Sequence, residues 1–178
     1  MITMNLNTID QMSCNPAMGG IAKGQIIREI DAIGGESGII SDLSAIQFRM
    51  LNKSKGPAMW SPRVQSDRSL FSLEWRNLLE KTPMLDFYQE MVVDLIVKKE
   101  TVIGVVTSLG IKIHARSVVL TNGTFLNGLI HIGEKNYGGG RAGEKASIGL
   151  TEKLRNLGFE SGRMKTGTPP RVDGRSLN

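Results

Sequence analysis

Residues 84–121 read MLDFYQEMVVDLIVKKETVIGVVTSLGIKIHARSVVLT, and they decide the fold. β-Branched residues crowd this stretch, and turn residues break it at 98–100 and at Leu109-Gly110. Branched side chains suit a pleated, half-buried surface, so such runs predict strands. Five are expected, at 85–88, 91–97, 102–108, 111–115 and 117–121. The middle ones, separated by short breaks, predict an antiparallel β meander within 84–116. The last, SVVLT, is a solid apolar run, the pattern of a buried parallel strand.

Working toward the N-terminus, the spacing predicts a helix from Ser61-Pro62 to Thr82-Pro83. Proline at a first helical position loses no needed hydrogen bond, and Val64, Leu70, Phe71, Trp75, Leu78 and Leu79 supply an apolar face. A loop at 52–59 and a short strand at 46–51 precede it. Ile26, Ile27, Ile30 and Ile33 recur at helical spacing before a Gly34-Gly35 stop. Residues 7–20 are rich in Asn, Ser, Pro and Gly and read as a loop, and 1–5 read as the end of a strand. Toward the C-terminus, Asn122-Gly123-Thr124 turns the chain, 127–145 is a polar glycine-rich loop, and 147–157 is a helix with Leu150, Leu154 and Leu157 on one side. The tail 164–178 is turn-rich and basic. Helix, helix, meander and return to a buried strand is the layout of an α/β flavoprotein built on dinucleotide-binding domains. The expected fold class is therefore α/β: a partial FAD-binding, Rossmann-like dinucleotide domain with an antiparallel β meander. No G-x-G-x-x-G stands between a strand and a helix, so the phosphate cradle of that fold lies outside these residues.

The 178 residues suffice for one ordinary domain, and 40% apolar content is near the globular average. A net charge of +5 permits an anionic partner without demonstrating one. Cys14 is the single cysteine, which excludes an internal disulfide and fits a reducing compartment. The first residues lack the charged start and apolar run of a signal peptide, and no stretch is apolar enough to span a bilayer, so a cytoplasmic protein without membrane contact is expected. His114 and His131 lie apart with no ligand-spaced partners, so no metal site is expected.

The segment most charged with chemistry is Met12-Ser13-Cys14-Asn15-Pro16-Ala17-Met18-Gly19-Gly20, running on to Lys23-Gly24. A small glycine-rich loop leading into a helix offers unpaired backbone N–H groups and positive potential, suited to an anion or an electron-rich ring atom. The plainer reading is an ordinary capped loop. Beside a helix start a thiolate is favoured, so Cys14 is a candidate nucleophile toward carbon 6 of a uracil ring or a redox partner of a flavin. Its alternative is a small buried cysteine packed near a cofactor.

This loop closely resembles the SCNPAIGG-type signature of the MnmG (GidA) family. Further motifs agree in order: Asp31-Ala32-Ile33-Gly34-Gly35, Ile46-Gln47-Phe48-Arg49, Asn52-Lys53-Ser54-Lys55-Gly56-Pro57-Ala58, Thr121-Asn122-Gly123-Thr124-Phe125-Leu126, His131-Ile132-Gly133, Gly139-Gly140-Arg141-Ala142-Gly143-Glu144 and Lys165-Thr166-Gly167-Thr168-Pro169-Pro170-Arg171. The resemblance covers almost the whole chain, and its collinear motifs are far more specific together than singly.

The resemblance implies that residues 1–178 are an internal part of an FAD-binding domain. The family's N-terminal G-x-G-x-x-G turn would precede Met1, and its inserted NADH-binding domain and helical C-terminal domain would follow Asn178. It implies FAD as cofactor, with NADH as reductant and methylene-tetrahydrofolate as one-carbon donor. It implies a homodimer that, with the GTPase MnmE, adds a carboxymethylaminomethyl or aminomethyl group to carbon 5 of the tRNA wobble uridine. Val92 matches a position whose backbone meets the adenine side of FAD, and Ser147 matches a flavin-contacting position. Thr121 and Gly123 resemble a strand-end turn close to the cofactor, and Asn15, Gly19 and Gly20 are expected near the isoalloxazine. Lys23, Arg49, Lys53, Lys55, Arg63, Arg141, Lys165 and Arg171 are candidates for tRNA or folate binding, each alone being also readable as a solvated surface charge. Two other readings stay open. One is the folate- and FAD-dependent methyltransferase of the tRNA T-loop, which shares the fold but lacks the Ser-Cys-Asn-Pro-Ala signature. The other is a catalytically inert piece that only binds RNA or a partner.

Overall fold

The computed structural model describes residues 1–167 and 172–177. Ten strands and four α-helices follow one another: β1 (Ile2–Thr3), β2 (Ala17–Gly19), α1 (Lys23–Ala32), α2 (Ser37–Leu43), β3 (Ala45–Leu51), β4 (Ser61–Ser66), α3 (Arg68–Lys81), β5 (Tyr88–Gln89), β6 (Val92–Lys98), β7 (Thr101–Thr107), β8 (Lys112–His114), β9 (Leu129–Ile132), β10 (Lys135–Gly138) and α4 (Leu150–Asn156). The chain forms two compact units, one of residues 1–6 and 86–164, the other of residues 7–85 and 165–178. The mixed α/β class expected from the sequence is the class found.

The first unit is built on the meander. β6, β7 and β8 pair in that order, all antiparallel. Leu95, Val105 and Leu150 form its buried core, with Ile2, Val118, Leu126 and Leu154 packed against it. Burying three such side chains contributes roughly 1.5–3 kcal/mol each, which pins α4 to the back of the sheet through Leu150. β1 and β5 pair in parallel, Ile2 with Tyr88 and Thr3 with Gln89. The SVVLT run does not become a strand. Val119 is 84% exposed, and no described strand ladders with it. An apolar run becomes a strand only where a neighbour supplies hydrogen bonds on its flank. Residues 127–145 also differ from the loop expected, because β9 and β10 form an antiparallel hairpin from Leu129↔Gly138 to Ile132↔Lys135. Its side chains are almost all exposed, so it carries no apolar alternation to betray it.

The second unit pairs a small sheet with three helices. The sheet order is β2-β4-β3, antiparallel throughout. Residues 61–66 are strand, not the opening turns of a helix. The helix begins at Arg68, where the Asp67 side chain accepts from the Leu70 amide at 2.8 Å. That cap satisfies an N-terminal donor, and it outweighs the proline signal at 62. Pro62 is tolerated because β2 ends its pairing at Arg63, so no ladder donor is needed from residue 62 on that flank. Val64, expected on the helix, is a buried residue of β4 instead. Phe71 is 2% exposed and meets Trp75 edge-to-face with ring centroids 6.4 Å apart. Residues 37–43 form a helix that no motif announced, since only Glu36 separates it from the Gly34-Gly35 stop. α1 forms where the isoleucine spacing put it, yet Ile26 and Ile33 are 55% and 86% exposed. Its inward contact is Gly24, whose missing side chain lets the helix close on the β4 backbone: a Cβ there would lie 2.8 Å from the Pro62 carbonyl oxygen.

Candidate functional site

In the first unit the chain brings together residues far apart in sequence. The Ser147 hydroxyl donates to the Val92 carbonyl at 2.9 Å, and Ser147 is 5% exposed. Its backbone is held too. The Ser147 amide donates to the Phe125 carbonyl at 2.8 Å, and the Asn127 amide donates to the Ser147 carbonyl at 2.9 Å. Ser147 therefore ties the start of β6 to the segment that follows the Thr121–Gly123 turn. It is not a helix cap, because α4 starts after Gly149 and has no side-chain cap. Since the hydroxyl proton is engaged, only the oxygen's lone pairs remain to meet a ligand.

The turn itself is open. The Phe125 amide donates to the Asn122 carbonyl at 3.0 Å, closing a tight bend. Gly123 has φ of 50° and nothing within 4 Å of where a Cβ would stand, so a ligand can approach the backbone there. Thr121 is exposed beside it. Behind the turn, Phe125 packs on Gly140, and the Arg141 guanidinium lies 5.7 Å from the Phe125 ring centroid. Arg141 also forms an ion pair with Glu144 at 2.6 Å, both side chains being less than a fifth exposed. Arg141 thus clamps its own loop, which the sequence could not distinguish from a ligand contact.

In the second unit the Cys14–Gly20 segment lies along β4; contrary to the loop expected over 7–20, its residues 17–19 are strand β2, paired with β4. The Arg68 guanidinium donates to the Cys14 carbonyl, the Ser66 amide to the Pro16 carbonyl at 2.7 Å, and the Gly20 amide to the Pro62 carbonyl at 2.9 Å. Ser61, completely buried, donates its hydroxyl to the Gly20 carbonyl. The loop is thereby fixed at both ends, and Cys14 and Asn15 are exposed between them. The buried, packing cysteine is not what the chain shows. Gly19 sits where a Cβ would collide with the Pro62 carbonyl, a close-approach role, whereas Gly20 is covered only by the stem of Arg63, 4.0 Å away.

Of the basic candidates, Lys23 is exposed at the start of α1, and Lys165 is exposed. Arg49 and Arg63 stand opposite one another on β3 and β4. Lys53 and Lys55 are exposed on the short turn after β3, where the Trp60 indole donates to the Lys53 carbonyl at 3.2 Å. Arg171 lies outside the described residues. Trp60, 40% exposed beside these lysines, is a residue that the sequence reading passed over. Among the described residues no group of three or more His, Cys, Asp or Glu could hold a metal, and no helix is long and apolar enough to cross a membrane.

The family model described as glucose inhibited division protein A matches residues 1–178. The tRNA uridine 5-carboxymethylaminomethyl modification enzyme MnmG of Christiangramia forsetii is 74% identical over all 178 residues, which cover 29% of that protein. The enzyme of the same name from Flavobacterium johnsoniae is 72% identical over the same span and covers likewise 29%. Aquifex aeolicus GidA, in its form I crystal, superposes with a TM-score of 0.91 at 50% identity, over 99% of this chain and 29% of that one. The chain thus spans under a third of the length of the relatives it matches.

Proposed function

The chain belongs to the glucose inhibited division protein A family, and from that premise we propose that it is part of an FAD-dependent enzyme that modifies the wobble uridine of tRNA. Relatives 74% and 72% identical to it are named as tRNA uridine 5-carboxymethylaminomethyl modification enzymes. The reading is carried by the unbroken match across both units, the Ser-Cys-Asn-Pro-Ala loop included. The activity belongs to the whole-length protein, and these residues supply part of its FAD-binding domain.

FAD, when bound, supplies the two-electron redox chemistry of the reaction. The open turn at Gly123 and the exposed Thr121 fit a cofactor that must approach backbone closely. Val92 offers backbone to the adenine side, and Ser147 positions it by holding its carbonyl. In the other unit Asn15, Gly19 and Gly20 offer a short, fixed loop to the isoalloxazine. Cys14, exposed on that loop, is the candidate nucleophile toward carbon 6 of the target uracil. NADH as reductant, methylene-tetrahydrofolate as one-carbon donor, the GTPase MnmE and a homodimer complete the proposal from the family resemblance. The enzyme's physical task is to hold flavin, one-carbon carrier and an extruded base together away from water.

The test is the reaction. Full-length protein, partner GTPase with GTP, methylene-tetrahydrofolate, glycine, NADH and unmodified tRNA are combined. Carboxymethylaminomethyl-uridine at the wobble position is expected. Methylation of the T-loop uridine instead would replace this reading with the methyltransferase. A full-length protein that purifies without flavin and modifies neither site would leave only RNA or partner binding.

A further inference from the structure

Across the small sheet of the second unit, one rung reads Gly19, Arg63, Arg49 on β2, β4 and β3. Residues directly opposite in an antiparallel pair point to the same face, with Cβ atoms about 5 Å apart. Two guanidinium stems therefore rise side by side, and Gly19 adds no side chain to the rung because a Cβ there would collide with the Pro62 carbonyl. Like charges placed so are destabilising, and a fold keeps such a pair only where something offsets the repulsion. Among the described residues no carboxylate forms an ion pair with either arginine. The next rung on the same face, Gln47 opposite Gln65, is neutral.

We propose that Arg49 and Arg63 together seat a phosphate of the tRNA backbone, and that Lys53 and Lys55 continue the same track. This rests on the tRNA reading above and narrows its eight basic candidates to one strand edge. Three features favour a polyanion over a lone small anion. β3 is an edge strand of its sheet, and Arg49 is exposed on it. Lys53 and Lys55 follow at once on a turn that is folded, with the Lys55 amide donating to the Asn52 carbonyl at 2.9 Å. The cations are thus set at intervals along an open edge, as a chain of phosphates would meet them. Arginine is the suitable residue at the paired position, since its planar fork matches a phosphate's oxygens. Arg141 is left out because Glu144 already occupies it.

The experiment uses full-length, flavin-loaded protein and measures tRNA affinity at several salt concentrations. For the double variant R49Q/R63Q, affinity should fall about tenfold or more, the loss expected when charge-assisted hydrogen bonds are removed. The slope of log affinity against log salt should shrink by roughly one, the count for one lost phosphate contact. The two single losses should be non-additive, because both side chains hold one group. Flavin content should be unchanged, and Tm should not fall, since removing the two like charges relieves their repulsion. A double variant with wild-type affinity and salt slope overturns the proposal while leaving the enzyme assignment intact. Weakened binding accompanied by flavin loss and a lower Tm overturns it too, by showing a structural role. Wild-type protein that binds no tRNA overturns this proposal and the functional reading together.

Discussion

Ser147 shows how one hydroxyl can serve packing and function at once. It is nearly buried, and its donation to the Val92 carbonyl satisfies a group that β6 leaves at its start. In the full-length protein, Ser147→Ala removes that donor and leaves a half-buried acceptor unmet, at a cost of about 1 kcal/mol. Denaturant unfolding should register the loss, and flavin content should fall with it. Cys14 is the opposite case, an exposed side chain on a loop held by its neighbours' backbones. Cys14→Ser should abolish product formation while flavin content and tRNA affinity stay at wild-type level; retained turnover would remove it from the mechanism. Glu90 gives a pH-dependent contact in the first unit. The Ser108 hydroxyl, and after it the Met91 amide, hold its carboxyl below the usual glutamate value. A folded-state value below the unfolded one stabilises the fold at pH above the ordinary glutamate range, and that contribution is lost as pH falls through the depressed value. Ser108→Ala should move the Glu90 titration upward toward the ordinary value, read by NMR of its side-chain carboxyl carbon.

At the scale of elements, legibility followed the physics of each signal. The meander was readable because β6 and β7 are long, branched and interrupted only by turn residues, and the structure reproduces both with ends shifted by a residue. α3 was readable from Leu70 to Leu79 but not at its start. Ser61-Pro62 and Asp67 are both acceptable helix openings locally, and pairing with β2 and β3 decides between them by claiming 61–66 for the sheet. Asp67→Ala should therefore cost about 1 kcal/mol, measured by unfolding of the full-length protein, whereas a helix opened at Pro62 would be indifferent to it. β9 and β10 escaped because a hairpin exposed on both faces has no period-two apolar pattern. At the Cys14 segment and the Thr121 turn the candidate residues were named from quoted motifs, and the structure adds their exposure and their backbone hydrogen bonds. The Ser147–Val92 bond was not legible, because fifty-five positions separate its partners and no local pattern encodes a tertiary contact. Nor was the internal ion pair that occupies Arg141, or the rung that sets Arg49 against Arg63.

At the scale of the whole molecule, the two units carry different candidate features. The first offers an open turn and a fixed strand start, suited to a cofactor's backbone contacts. The second offers a segment with an exposed thiol and a cationic rung, Arg49 opposite Arg63, followed by Lys53 and Lys55 on the next turn. Ile26, Ile39, Leu43, Ile46 and Phe48 are all more than half exposed in that second unit, and the chain spans 29% of its relatives' length. Function is accordingly a property of the longer protein, and the decisive measurement is made in the cell. The gene is deleted, and nucleosides from total tRNA are analysed by mass spectrometry. Loss of the carboxymethylaminomethyl-type wobble uridines with T-loop methyluridine intact is expected, and their return on complementation. Unchanged wobble uridines would contradict the proposed function.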